Sequence, residues 1–429
     1  MTLLLFIICK TSEFGALFLA ISPGATQVGL GMGGVAYPND IPGVYYNPAN
    51  INFTNTGFYI QNTPIPESWN LIFSKMVKEF YTDKDVPYSP DWLLYHDMKY
   101  IYGGIKFPSY KYLNFGINYT FLSTGETIAT INNNEYNWYT YDYSLGVTIG
   151  TSYFNNLLNF GITFKYIYSL LASKEFVEKL RELYEEYEGV KGSSSLFSYD
   201  VGLLIKDPLN FSRCGISYSN ISGSIGYMQN GSEDPLPRVI RYGFSLFPIN
   251  SVDYLLNRHT SFPYDIKNYF NAKYVKEILT DRVGTEHNSW YSSGWEYTFF
   301  NFISFRKGSF RDKLGGREGN TRSVGLKIAN IKLDYADNSD IYEVDNFQVS
   351  LSVDLMEGDN KYFAIPLSLM FPGAGHMYLG SAKKGLLYCG AGTLISILYP
   401  FEDERKIDIY STLFYLLSII STVDFAWSL

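Results

Sequence analysis

Two arrangements of residue types in this sequence could do chemistry on spacing alone. His287 and Ser289 stand two positions apart, so on a strand they share a face. An imidazole beside a hydroxyl is the pairing that activates serine for acyl transfer. No oxyanion donor can be named near them, and a polar loop pair is the plainer reading. Gly29-Leu30-Gly31-Met32-Gly33-Gly34 fits the G-x-G-x-x-G of dinucleotide sites. That chemistry needs a strand before the glycines, a helix after them and an acid about 20 residues on. The flanks are instead Pro23-Gly24 and Pro38-Asn39-Asp40, and Asn50 stands where the acid belongs. The sequence therefore predicts a tight turn in which glycines let backbone approach backbone.

The remaining candidates are weaker. Asp334–Asp345 (DYADNSDIYEVD) gathers carboxylates without the glycine and spacing of a calcium loop, so a solvated hairpin loop is expected. His96, His259 and His376 show no ligand spacing, and Cys9, Cys214 and Cys389 form no C-x-x-C pair. No metal, cofactor or catalytic function is expected.

The elements that must position these residues read as strands. Phe115, Ile117, Tyr119 and Phe121 alternate with Asn and Gly. Tyr141, Tyr143, Leu145, Val147 and Ile149 alternate with Asp142, Ser144, Gly146 and Thr148. Phe160 to Tyr168 alternates with Gly161, Thr163, Lys165 and Ile167. Such alternation marks strands with one apolar and one polar face. The apolar phase flips at Ala329-Asn330, between Val324/Leu326/Ile328 and Ile331/Leu333/Tyr335. A flip requires a tight turn between antiparallel neighbours. One helix interrupts, Ser173–Glu188, with Phe176, Val177, Leu180, Leu183, Tyr184 and Tyr187 on its apolar stripe and Gly189 at its end. A loop insertion packed on the strand framework is expected.

Composition narrows the class. Aromatics make up 18% of the 429 residues, as much as the charged residues do, and the net charge is −8. Disordered chains lack such aromatic content, and the acidic balance argues against a nucleic-acid partner. Mean hydropathy of −0.07 excludes a polytopic helical bundle. Long strands, a Gly/Ser/Thr/Asn-rich face and tyrosines at strand ends (Tyr100, Tyr102, Tyr110, Tyr112, Tyr166, Tyr168) favour a transmembrane barrel with a polar lumen over a soluble sandwich. Thr2–Ile8 is apolar like the core of a secretory signal. The bulky Ile7-Ile8 before Cys9 disfavours a lipoprotein.

An ordered set of motifs carries a family resemblance. Gly24-Ala25-Thr26, Gly29 to Ala36 with Gly31, Gly33 and Gly34, then Asp40 and Tyr45-Tyr46-Asn47-Pro48-Ala49 resemble the opening of the PorV/PorQ family of outer-membrane proteins, relatives of FadL-type barrels. Thr26 and Tyr46 stand where that family has Arg and Trp. Further matches follow: Gly161–Tyr168, Tyr199-Asp200-Val201-Gly202-Leu203-Leu204, Asn220-Ile221-Ser222-Gly223, and Asp234-Pro235-Leu236-Pro237 with Arg241-Tyr242-Gly243. The resemblance spans about residues 14 to 355. It implies fourteen antiparallel strands in the bacterial outer membrane with an N-terminal segment inside. It also implies transport of apolar compounds or a part in protein secretion. The helix at 173–188 and the stretch Leu255–Asn288 depart from the family pattern, and both are expected to alter one mouth.

The C-terminal region differs. Pro372-Gly373-Ala374-Gly375-His376-Met377-Tyr378-Leu379-Gly380 with Lys384-Gly385 resembles small two-helix membrane modules. Apolar runs Gly385–Phe401 and Ile409–Val423 flank Glu402–Lys406, which predicts a helical hairpin with Gly390 and Gly392 at its contact. The expected organisation is a signal-like segment (1–13), an all-β antiparallel barrel of about fourteen strands (14–358) and a helical membrane hairpin (359–429). The expected function is binding of apolar ligand or protein cargo at the loop-bearing mouth, with membrane lipid and secreted or envelope proteins as partners. An outer-membrane hydrolase using His287 and Ser289, or a structural envelope protein, is the alternative.

Overall fold

The structure is a computed structural model. It describes residues 15–37, 40–64, 99–110, 112–131, 134–184, 187, 189–228, 233–259, 266–281, 289–313, 317–328, 330–337, 339–342, 347–354, 364–365, 368–369, 372–379, 381–397 and 404–427. The signal-like segment, Cys9, His96, His287, Asp345 and Gly380 lie outside the described residues.

Period-2 sequence closes into a barrel. The wall strands are β1 (Gly57–Pro64), β2 (Lys99–Lys106), β3 (Leu113–Ile131), β4 (Asn134–Tyr153), β5 (Leu158–Leu170), β6 (Ser193–Lys206) and β7 (Ser212–Ser219). After a two-stranded ribbon, β8 (Ser224–Ile225) with β9 (Asp234–Pro235), the wall resumes. It continues with β10 (Val239–Leu246), β11 (Phe270–Asp281), β12 (Ser289–Phe299), β13 (Ile303–Asp312), β14 (Arg317–Ile328), β15 (Ile331–Asp337) and β16 (Phe347–Asp354). The fourteen wall strands form one closed barrel, in which β1 pairs with β16 and every pair is antiparallel. Closure removes every sheet edge, which is what lets strands cross a bilayer.

The two faces of the wall are opposite in character. On β5, Phe160 and Phe164 are exposed, while Thr163, Lys165 and Ile167 are buried. The same holds for Val324, Leu333, Tyr335, Phe347 and Val349 outside against Ser323, Asp334 and Ser350 inside. Apolar residues thus face outward and polar residues inward, the arrangement of an outer-membrane barrel. β14 and β15 pair antiparallel with Ile328 opposite Ile331, where the phase flips. One rim carries short turns such as Phe154–Leu157 and Phe300–Phe302, and the other carries the long connections, as on the extracellular side of such barrels.

Several expectations are corrected. Tyr100 and Tyr102 point into the lumen and are buried, while Tyr110 and Tyr112 are exposed at the short-turn rim. The phase of β2 sets this, since Lys99 pairs with Ser123 and Lys106 with Gly116. Asp334 is buried in β15, so the acidic run is not one solvated loop: its first part is wall and Ser339–Tyr342 is a short helix. Of the two expected departures, the helix lies at the long-loop rim, whereas Leu255–Asn288 starts at the short-turn rim and its described part is mostly the wall strand β11. The helix α3 (Lys174–Leu183) stands at the long-loop rim, and α4 (Pro248–His259) sits between β10 and β11 at the short-turn rim. Helix α3 is capped by the Ser173 side chain and stops where Tyr184 turns extended, earlier than expected. Its Phe176, Val177 and Leu180 pack on Ala129, Ile131 and Trp138 of the β3–β4 hairpin, which is where the stripe is buried. The remaining helices are α1 (Ala25–Gly29) and α2 (Gly43–Tyr46) inside the barrel, α5 (Ser339–Tyr342), and α6 (Ala374–Tyr378), α7 (Ala382–Ile397) and α8 (Glu404–Trp427) after it. Helices α7 and α8 pack as a hairpin, with Gly392 close to Pro372 and Phe414, whereas Gly390 faces open space.

Candidate functional site: the lumen and its inserted segment

Residues 15–37 and 40–56 run through the lumen from the long-loop rim to the short-turn rim. The Gly15 N–H donates to the Pro235 carbonyl at 3.0 Å at one end. At the other, Asn52 Nδ2 donates to the carbonyls of Thr151 and Phe160 at 3.2 and 3.0 Å. Between them the glycine block makes the turn that its sequence predicts. Gly31 and Met32 take φ of +74° and +71°, values that favour residues without a Cβ. A Cβ on Gly34 would lie 2.5 Å from the Tyr46 ring.

The glycine block holds a carboxylate from the protein itself. The N–H groups of Gly34 and Val35 donate to Glu277 Oε2 at 2.6 and 2.7 Å. Successive N–H groups of this kind make an anion-binding concavity. Glu277 fills it and also lies 3.4 Å from Arg241 Nε. The Arg241 guanidinium is in turn stacked over Tyr45 and Tyr46 at 5.1 and 5.4 Å. Arg241 therefore joins the wall to the Tyr45-Tyr46-Asn47-Pro48 turn.

Asn47 is the hinge pin of that turn. Its Nδ2 donates to Val35 O and Leu203 O at 2.9 and 3.0 Å, and its Oδ1 accepts from Ala49 N at 3.0 Å. Pro48 opens a 3-10 turn pressed against Gly161 of β5, where any Cβ would strike the Pro48 carbonyl carbon. Gly24, at φ +96°, donates its N–H to Gln61 Oε1 at 2.6 Å. Gly33 sits against Val275 of the wall.

Asp40 is the sole charged residue between positions 15 and 56. It accepts from Gln27 Nε2 at 2.6 Å and lies 3.8 Å from Lys332 Nζ. Lys332 also reaches Thr26 Oγ1 at 2.9 Å and Asp334 at 3.0 Å. A cation from the wall thus serves Thr26. The chain of charges continues along the wall. Arg306 pairs with Asp334 at 2.8 Å and Glu296 at 2.5 Å, and Lys273 pairs with Glu296 at 2.7 Å, with Tyr37 OH donating to Glu296 at 2.8 Å. Three carboxylates and three cations balance, which is how charge is tolerated in a buried site.

A third cluster joins the other motif residues. Asp200 pairs with Lys165 at 2.7 Å and accepts from Asn220 N at 2.8 Å. Asn220 Oδ1 accepts from Lys165, and its Nδ2 donates to Pro237 O at 2.7 Å. Asp234 and Pro235 form β9, just above it. The structure thus gathers Gly24, Gly31, Gly33, Gly34, Asp40, Asn47, Pro48, Asp200, Asp234, Pro235, Pro237 and Arg241 in or at the lumen. It places Pro372, Gly373 and Gly375 outside the barrel, in the C-terminal elements. Ser289 opens β12, but with His287 outside the described residues no hydrolase geometry is defined.

Toward the long-loop rim the lumen changes character. The 3-10 helix Leu17–Ala20 brings Phe18 and Leu19 against Ile167 and Leu236, with Leu122 and Leu196 beside them. Ile167, Leu122 and Leu196 occupy the otherwise polar phase of β5, β3 and β6. That exception is visible in sequence, whereas the charged network is not, because its members are scattered from position 26 to 334.

No protein-family model and no curated relative matches the chain. Among solved structures it is similar to the deltaS2 mutant of the monoaromatic hydrocarbon channel TodX, at 10% identity, 78% of this chain, 99% of that one and a TM-score of 0.45. It is similar to a Pseudomonas aeruginosa FadL homologue at 10% identity, 78% and 99% coverage and a TM-score of 0.40. Outer membrane phospholipase A from Escherichia coli follows at 12% identity, 70% and 98% coverage and a TM-score of 0.27. The barrel itself is fixed by the strand pairing of this chain.

Proposed function

We propose that this barrel binds small apolar compounds in its mouth and passes them inward when the inserted segment yields. The observation that supports this is the apolar chamber at the long-loop rim, formed by Leu122, Ile167, Leu196 and Leu236 and filled by Phe18 and Leu19. Further down the segment is also tied to the wall by ion pairs and hydrogen bonds, which the chamber lacks. An apolar compound entering the chamber gains the same burial that Phe18 and Leu19 now have, about 1.5–3 kcal/mol per side chain. It can therefore displace them without breaking an ion pair. Passage further inward requires movement of the segment, because wall glycines such as Gly294 and Gly308 bring the wall against the Leu30 and Gly31 backbone.

The test is binding of an environment-sensitive naphthyl dye to the full chain in lipid nanodiscs. Saturable binding is expected in the native chain and loss of at least tenfold in affinity in Ile167→Asp. Equal dye binding by the two proteins, or none by either, overturns the reading.

A further inference from the structure

The C-terminal elements reach the barrel from outside, at the place where it closes. Ala364 and Ala374 are buried against Val353, with Phe58, Ile331 and Leu351 around them. Phe58 and Ile331 stand opposite Val353 in the two ladders that flank β16. All three are on the outward phase, since Tyr59, Lys332 and Ser350 of the same strands point inward. The contact is therefore on the outer wall, near the short-turn rim, over the β1–β16 seam.

Polar groups lock α6, α7 and α8 together beside that contact. The Gly373 N–H donates to Ser421 Oγ at 2.7 Å, and Gly375 N–H to Ser368 Oγ at 3.0 Å. Asp424 on α8 accepts from Lys384 at 2.9 Å and Tyr388 OH at 3.2 Å on α7, and lies 3.2 Å from His376 Nε2 on α6. Pro372, Gly373 and Gly375 of the sequence motif thus build the joint.

Beyond the joint, α8 presents Leu413, Tyr415, Leu416, Ile419, Ile420 and Val423, all exposed. An exposed helix face made of large apolar side chains belongs against protein or lipid. Its apolar run Ile409–Val423 is roughly 22 Å long at 1.5 Å per residue, short of the ~30 Å hydrocarbon core. Among the described residues no helix is long and apolar enough to cross a membrane. Both ends of the hairpin are polar in sequence: Lys384 and Asp424 at the joint, Glu404–Lys406 at the start of α8.

We propose that the α7–α8 hairpin lies in the short-turn-side leaflet of the barrel's own membrane, with lipid acyl chains as its occupant. The docking patch continues directly into the barrel's lipid-facing belt. Ile60, Leu333 and Val349 are the next outward residues on β1, β15 and β16, and they are exposed. Surfaces that are continuous across a joint share a solvent. The hairpin thereby covers the seam on its membrane side without spanning the bilayer.

The experiment uses the full chain with its three cysteines replaced by serine, refolded into vesicles of phosphatidylethanolamine and phosphatidylglycerol. A fluorescent label is placed by Leu416→Cys or Ile420→Cys. Leu333→Cys marks the barrel belt and Leu209→Cys marks a turn at the short-turn rim. Heat-modifiable migration in gels confirms that each barrel is folded. Quenching of both hairpin labels by doxyl-acyl lipid within twofold of the Leu333→Cys label, with iodide ineffective, is the expected result. Iodide quenching without lipid quenching would place the hairpin in water and overturn the proposal. Shielding from both quenchers would mean that protein covers it, and would overturn the proposal equally. Failure of lipid to quench the Leu333→Cys label would instead remove the barrel from the membrane.

Discussion

The inserted segment is one chain held in two ways. From Gly24 to Asn52 apolar contacts such as Val28 on Phe310 and Leu30 on Val275 are joined by directional bonds to the wall: Gly24 to Gln61, Gly34 and Val35 to Glu277, Asp40 to Lys332, Asn47 to Leu203, Asn52 to Thr151. From Gly15 to Ile21 it is fixed mainly by burial of Phe18 and Leu19, with three hydrogen bonds, through Gly15 N–H and the carbonyls of Leu19 and Ile21. Directional bonds fail together when geometry is lost, whereas apolar burial can be exchanged for another apolar group. On the proposed function the lower part is structure and the upper part a replaceable occupant.

The largest effect should come from breaking the lower part. Arg306→Met leaves Glu296 and Asp334 buried without their shared cation, a loss of about 3–5 kcal/mol. A urea-unfolding midpoint in detergent, read by gel migration, checks it. A shift no larger than that of a surface variant would mean that the network does not hold the segment.

Next is the packing of the glycine block. Gly34→Val puts branched carbons into the Tyr46 ring, and overpacking of this sort costs about 1–3 kcal/mol. It should also free the segment for proteolysis while leaving the wall folded. An unchanged protease pattern would contradict the tight approach at this turn.

What the sequence made legible follows the same division. Alternation over β3, β4 and β5 displayed the wall and its two faces, because a strand repeats every two residues and its neighbours are local. The phase flip at 329–330 located a hairpin for the same reason. The glycine block was legible as a close backbone approach, though not its partner, since Glu277 is more than 240 positions away and belongs to no motif. Arg306, Glu296 and Lys273 were invisible as a network. Each looks like one polar residue on the polar phase of its strand, and only barrel closure brings them together. Asp334 was misread because it opens a run of acids, whereas the strand phase alone points it inward. Tyr100 and Tyr102 were misread because a tyrosine at a strand end serves a girdle or a lumen equally well, and composition does not carry phase.

A smaller effect belongs to the structure standing over the mouth. Ser173→Ala removes the cap that accepts the Phe176 N–H, a loss of about 1 kcal/mol. Because α3 packs on the β3–β4 hairpin rather than on Phe18, dye affinity should stay within twofold. A tenfold change would join α3 to the chamber and dissolve the separation between them.

The smallest effect on global unfolding should come from Phe18→Ala, although Phe→Ala in a core typically costs about 3–5 kcal/mol. The two expectations differ because a stretch that opens by itself shows its losses in its own opening and not in the global transition. Residues 15–21 precede the dense set of wall bonds that begins at Gly24 and carry only three hydrogen bonds to the rest of the described chain, so they can leave the chamber while Glu277, Lys332 and Leu203 keep the rest in place. Hydrogen exchange at Leu19 and Ile21, whose N–H groups bond within the 3-10 turn, should accelerate at least a hundredfold in the variant. The urea midpoint should move by less than ~0.5 kcal/mol, the range of changes outside cooperative features. A full core-sized drop in the midpoint would show that the mouth and the lower segment unfold as one unit, and the replaceable occupant would then have to be sought elsewhere in the lumen.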